Sequence, residues 1–252
     1  MQAEILLYII VFLFGIVIGS FVNVLIYRLP KNENIVVVNS HCMSCGHQLG
    51  WYDLVPLFSW IFLRGKCRYC KEKISVQYPL IEAVNGFGYV LIFLVCGMNL
   101  SSILYSICFS MLVAISVIDW RTYEIPVGLN ITILTLGIIQ CILDYRNWSS
   151  YLIGMVCVSG LLFLIFIITG GRGIGGGDIK LMFAAGLLLG WKNIILALML
   201  GCIIGSIIHI ILMKVSDKGR MLAFGPYLSV GILLAILFGD QIISWYLNLL
   251  IK

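Results

Sequence analysis

Apolar runs of roughly 20 residues recur along most of this chain, separated by short polar segments. In lipid such a run must be helical, because hydrocarbon offers no hydrogen-bond partner to an exposed backbone. About 20 apolar residues are what a helix needs to cross a bilayer. The composition agrees: 62% of residues are hydrophobic, 11% are charged and the mean hydropathy is +1.09. No soluble domain of this size carries so little polar surface. A β-barrel is excluded, since its strands would alternate polar and apolar residues. The predicted fold is therefore an all-α polytopic membrane protein.

Eight spans are expected, over about 4–27, 76–97, 100–118, 127–143, 150–169, 179–190, 193–213 and 222–238. The sixth is short, and the eighth can continue past Gly239 and Asp240. This divides the chain into a first transmembrane helix at 1–28, a polar loop domain at 29–75, and helices two to eight at 76–252. The first run lacks a basic start and ends in Tyr27 and Arg28 rather than at a small-residue cleavage site, so it is expected to persist as a helix. Gly15, Gly19 and Ser20 give it a small face for close helix contact.

Placing the N-terminus outside puts Arg28, Lys31, Arg64, Lys66, Arg68, Lys71, Lys73, Arg121, Arg172, Lys180, Lys214, Lys218 and Arg220 inside. Only Arg146, Lys192 and Lys252 then lie outside. The positive-inside rule selects this orientation. The net charge of +5 thus reflects topology. No nucleic-acid partner is expected, because the basic residues lack a soluble domain with interleaved aromatics.

This topology brings Asp119, ending the third span, and Asp178, opening the sixth, to the same cytoplasmic edge. Carboxylates there are costly and usually functional. A close pair can share one proton and activate water without a metal. The plain alternative is a helix-end carboxylate solvated by headgroup water, with Asp178 as an N-cap. The run Gly170, Gly171, Gly173, Gly175, Gly176, Gly177 tips the balance, because no packing demand is evident for it and a bare backbone admits a substrate chain. Its match to G-x-G-x-x-G is discounted, since a membrane helix precedes it and no βαβ unit exists. Glu82, about a turn and a half inside the second span, is either functional or a structural hydrogen-bond partner. Glu124 is an auxiliary group or a loop charge. Glu4, Glu33, Asp53, Glu72, Asp144, Asp217 and Asp240 are expected to be solvated.

The loop between the first two spans holds Cys42, Cys45, Cys67 and Cys70 as two C-x-x-C pairs 21 residues apart. That is a tetrahedral thiolate pattern, with disulfides as the competing reading. A cytoplasmic loop keeps its thiols reduced, which favours Zn²⁺. Four protein ligands leave no open position, so the zinc would be structural and would staple a loop too small to fold alone. His41 and His47 flank the first pair as substitute ligands, though four cysteines suffice. The remaining cysteines and His209 lie in spans and read as packing residues.

Taken together, these segments resemble the type IV prepilin peptidases, the bifunctional leader peptidases and N-methyltransferases of bacterial pilus and type II secretion systems. The resemblance rests on Gly19-Ser-Phe-x-Asn-Val-x-Ile-Tyr-Arg-Leu-Pro30, on Trp60-x-x-Leu-Arg-Gly-Lys-Cys-Arg-Tyr-Cys70, and on Ile74-Ser-x-x-Tyr-Pro-Leu-Ile-Glu82. Asp119-x-x-Thr122 with Ile125-Pro126, and Gly173-x-Gly-x-Gly-Asp178-x-Lys180, are similar to the two catalytic motifs of the family. One departure is Val127, where the family often has a non-catalytic aspartate. The resemblance implies an inner-membrane aspartic endopeptidase acting on prepilins or pseudopilins, which carry a basic leader, a glycine and an apolar helix. Cleavage after the glycine would use Asp119 and Asp178. The resemblance also implies methylation of the new N-terminus by S-adenosylmethionine, with Glu82 and Gly86 at the cofactor site. The rival readings are a peptidase without methyltransferase activity, a zinc-loop scaffold, and a transporter with buried carboxylates. The last predicts repeats and mid-membrane charges, which are not seen here.

Overall fold

The computed structural model describes residues 2–35, 40–215 and 222–250. Asp217, Lys218, Arg220 and Lys252, which entered the charge count and the solvated set, lie outside the described residues. The chain forms two compact units, Met1–Met98 and Asn99–Lys252.

The first unit is built on two long helices, α1 (Gln2–Arg28) and α3 (Gln77–Cys96), with a short helix α2 (Phe58–Phe62) in the loop between them. Small residues set the α1–α3 contact. A methyl group on Gly15 would stand 2.7 Å from the Gly86 Cα, and one on Gly19 would stand 2.8 Å from the Glu82 Cα. The two backbones therefore touch, as small-residue faces allow in lipid. Polar side chains tie the seam: Asn85 Nδ2 donates to the Gly15 carbonyl at 2.8 Å and Asn23 Nδ2 to the Tyr78 carbonyl at 3.1 Å. The small face expected at Gly15 and Gly19 is the face that α3 covers.

The second unit holds α4 (Leu100–Thr122), α5 (Val127–Leu143), α6 (Trp148–Ile168), α7 (Gly176–Leu189), α8 (Trp191–Val215) and α9 (Gly225–Leu250). Asn99 caps α4, its side chain accepting from the Ser102 amide at 2.9 Å. The helix ends at Tyr123, a left-handed residue whose amide donates to the Asp119 carbonyl. It runs one turn beyond the expected end at 118, so Asp119 sits within the last turn. At the centre lies α7, packed by α5, α6, α8 and α9. Leu181, Met182, Ala185 and Leu188 are fully buried there. Gly186 meets Gly154 of α6 backbone to backbone.

Among the described residues, eight helices of 14 or more residues lie at the eight expected positions, and α9 continues through Gly239 and Asp240. Six of them are long and apolar enough to cross a membrane: α1, α3, α4, α6, α8 and α9. With 17 residues, α5 is shorter, and α7 has 14 residues, about 21 Å of rise against a hydrocarbon core of roughly 30 Å.

Candidate functional site: a carboxylate pair and a four-cysteine centre

Asp119 and Asp178 come from helices separated by two others in sequence, and the second unit brings them together. Asp119 is 5% exposed and Asp178 is 8% exposed. Asp119 stands in the last turn of α4 and Asp178 in the first turn of α7. The segment after α4 makes the approach possible. Ile125 lies over Gly177, where a methyl group would stand 3.0 Å from the Ile125 Cβ. This seats the end of α4 beside the first turn of α7.

Gly175, rather than Asp178, is the N-cap of α7. Asp178 stands three residues on and turns back, so that a methyl group on Gly175 would lie 3.0 Å from its Oδ2. The carboxylate thus lies against the Gly175 backbone. A third-position carboxylate reaching back to the cap amide is one half of a capping box. The glycine run thus has packing reasons that its sequence concealed: Gly177 must clear Ile125, and Gly175 must clear Asp178. Gly171 needs glycine for a second reason, a backbone φ of 76°.

Asp119 has a partner that sequence reasoning missed. The amide of Gly225, the first residue of α9, donates to Asp119 Oδ2 at 2.8 Å. Free amides at a helix N-terminus favour an anion there. A methyl group on Gly225 would stand 2.8 Å from the same oxygen, so a side chain at this position would displace the carboxylate. The only trace in the sequence is Gly225-Pro226 opening an apolar run, a helix-start signal with no pointer to its partner 106 residues away.

In the first unit, Cys42, Cys45, Cys67 and Cys70 converge, with all four sulfurs within 4.8 Å of one another. The Cys42 and Cys70 sulfurs are 3.8 Å apart. Two matching turns present them. In the first, Cys42 donates its amide to the His47 carbonyl and Gly46 to the Cys42 carbonyl; in the second, Cys67 pairs with Glu72 and Lys71 with Cys67. Gly46 and Lys71 occupy equivalent left-handed positions, at φ 69° and 63°. The backbones of Cys45 and Ser44 hydrogen-bond to Cys42 and lower its thiol to about 6, which favours the metal-binding thiolate. This centre can hold a tetrahedral metal ion on sulfur alone. His47 instead packs its ring on Tyr69 at 3.6 Å, and His41 pairs its backbone with Gln48.

Beside the cysteines is a cavity of about 640 Å³. Its wall includes Arg28, Asp53, Trp60, Tyr78 and Glu82. Glu82 is buried, and its Oε2 accepts the Leu57 amide at 2.8 Å. Asp53 corrects the expectation of a solvated loop charge. It is 9% exposed and its Oδ1 accepts from Arg68 Nε at 2.7 Å. The 3₁₀ turn Trp51–Asp53 carries it inward, and its Oδ2 is buried without a partner. Gly86 lies one turn beyond Glu82 but does not line the cavity. It faces α1, where a methyl group would stand 2.7 Å from Ile16 Cγ2 and 2.8 Å from Phe12 Cε2.

Residues 13–96 match the Bacterial Peptidase A24 N-terminal domain, and residues 106–210 match the Type IV leader peptidase family. The chain is 31% identical to a Prepilin leader peptidase/N-methyltransferase of Aeromonas salmonicida, over 94% of this chain and 93% of the relative. A protein of the same name from Bacillus subtilis is 33% identical over 95% of this chain and 98% of its own. One from Pseudomonas aeruginosa is 30% identical over 94% and 92%. No solved structure matches the chain. The two matched regions fall one in each compact unit, the first holding the four cysteines and the second both aspartates, and with full-length relatives at this identity the chain belongs to the type IV leader peptidase family.

Proposed function

We propose that this protein is an inner-membrane aspartic endopeptidase that removes the leader of type IV prepilins or pseudopilins, then methylates the new N-terminus. The observation that carries the peptidase half is the burial of Asp119 and Asp178 at helix ends that Ile125, lying over Gly177, brings together. Two carboxylates in one poorly solvated site resist being charged together, so they share a proton. The ionised member takes a proton from water as the oxygen attacks the scissile carbonyl carbon. The protonated member gives its proton to the carbonyl oxygen. Collapse of the tetrahedral adduct breaks the C–N bond, and the departing amine takes up a proton. The pair titrates as a unit, so neither role belongs to one residue alone. Gly225 holds Asp119 by Oδ2, and Oδ1 would be free to carry a proton.

The positive-inside orientation puts this site at the cytoplasmic face with the N-terminus outside, where a basic leader would remain. The four cysteines fit a structural zinc: Zn–S bonds of about 2.3 Å place tetrahedral sulfurs roughly 3.8 Å apart. The cavity beside them suits a methyl-donor nucleoside in size and lining. Glu82 and the unpaired Asp53 Oδ2 would hold its cationic groups, and Trp60 and Tyr78 offer flat apolar faces. S-adenosylmethionine supplies an electrophilic methyl group when bound. Gly86 supports that wall by letting α1 pack against α3.

Co-expression with a prepilin tests the whole reading. The mature product should have lost its leader through the glycine and gained one methyl group, read by intact mass. Full-length, unmodified prepilin beside a well-folded enzyme would refute it.

A further inference from the structure

A second cavity, of about 370 Å³, opens between α5, α6 and α7. Its wall is apolar, with Ile131, Leu134, Phe163 and Phe183 among its residues, and Ile131 and Phe163 are more than half exposed. In a bilayer this groove faces lipid. Three polar residues interrupt the apolar wall, Asn130, Ser159 and Lys180, and Ser159 is satisfied by the Met155 carbonyl of its own helix. Asn130 is 4% exposed, and neither its Oδ1 nor its Nδ2 has a hydrogen-bond partner. An unpaired carboxamide in hydrocarbon is costly, and an acyl chain cannot satisfy it.

The groove reaches the first turn of α7, which carries Asp178. Ile179 and Lys180, the two residues after Asp178, form part of its wall. Asn130 is one turn into α5, whose N-cap Pro126 follows Ile125, the residue that covers Gly177. A polypeptide cut at Asp178 must open its backbone near the scissile bond, which strips helical hydrogen bonds from N–H and C=O groups in an apolar setting. A carboxamide supplies the complement of one peptide group, accepting through Oδ1 and donating through Nδ2.

We propose that this groove seats the apolar segment of the substrate that follows the cleaved bond, with Asn130 paired to a substrate peptide group. Asn130 is a positioning residue and takes no part in proton transfer. The inference rests on the peptidase reading above.

The test uses full-length protein in nanodiscs and a prepilin with a basic leader, a glycine and an apolar helix. Asn130→Leu should raise KM about tenfold, the loss expected for a buried hydrogen-bonded pair, with kcat within about twofold. Its thermal midpoint should stay level or rise, because an orphan carboxamide has been removed. Asn130→Gln should recover part of the KM. With a photo-crosslinking benzoyl-phenylalanine at Ile131 in an Asp178→Asn background, adducts should map to the substrate just after its glycine. An unchanged KM, a lowered midpoint with kcat and KM failing together, or adducts to lipid alone would each overturn the proposal. If wild-type protein cleaves normally while Asn130→Leu keeps its KM, the groove alone is wrong. If wild type never cleaves, the peptidase reading fails first.

Discussion

Gly86→Val is the most informative single change in the first unit, because it separates contact with a ligand from contact between helices. The Cβ position at Gly86 stands 2.7 Å from Ile16 Cγ2 and 2.8 Å from Phe12 Cε2. Carbon atoms prefer roughly 3.5–4.0 Å, so α1 must retreat by about 1 Å or those side chains must leave their rotamers. Ile16 has little room to do so, being buried, whereas the Phe12 ring edge can swing. Overpacking by one carbon costs about 1–3 kcal/mol, offset by about 1 kcal/mol from replacing glycine within a helix. Alanine should therefore cost roughly 0–2 kcal/mol, and valine, with two more methyls and a stiff χ1, about 2–4 kcal/mol. Gly15→Val is the control. Gly15 touches the Gly86 Cα from the opposite helix and does not line the cavity. Thermal unfolding in detergent and the methylated fraction of mature pilin should fall together in both variants, with alanine mild at each site. A Gly86→Val protein of wild-type stability that cannot methylate, beside a Gly15→Val protein that can, would refute the packing account and return Gly86 to the ligand site.

Purified protein should carry about one zinc per chain, and Cys42→Ser or Cys67→Ser should lose it and expose the loop to protease. Metal-free protein with an intact, protease-resistant loop would contradict this. Glu82→Gln keeps an oxygen for the Leu57 amide but removes the charge, so stability should hold while methylation drops at least tenfold and leader cleavage continues. Equal loss of both reactions would make Glu82 structural.

The spans were legible because lipid leaves an apolar run only one way to satisfy its backbone. The helices appear where the runs do, and the two C-x-x-C pairs meet as their spacing implies. Four things could not be read. The start of α7 is hidden because Gly175–Gly177 belong to its cap and first turn, and glycine carries no apolar signal. Asp53 looked like any loop carboxylate, since its burial depends on Arg68, fifteen residues on, and on a turn with no strong signature. Gly225 was invisible as a partner of Asp119, because a backbone amide leaves no mark in a sequence. Asn130 was passed over within an apolar run, where one polar residue reads as helix contact. The misses at Asp53 and Gly225 involve pairings between distant residues rather than a local preference.

The central claim is that Asp119 and Asp178 act as one unit. Its most direct test is the initial rate of leader cleavage by Asp119→Asn, Asp178→Asn and the double variant, each confirmed to be inserted and folded. Asparagine keeps the size and the acceptor that the Gly225 amide needs, but it cannot ionise. Each single variant should lose cleavage to background, and the double should be no slower than either, because members of a catalytic unit fail non-additively. Substantial cleavage by either single variant, or losses that multiply in the double, would contradict the shared-proton pair.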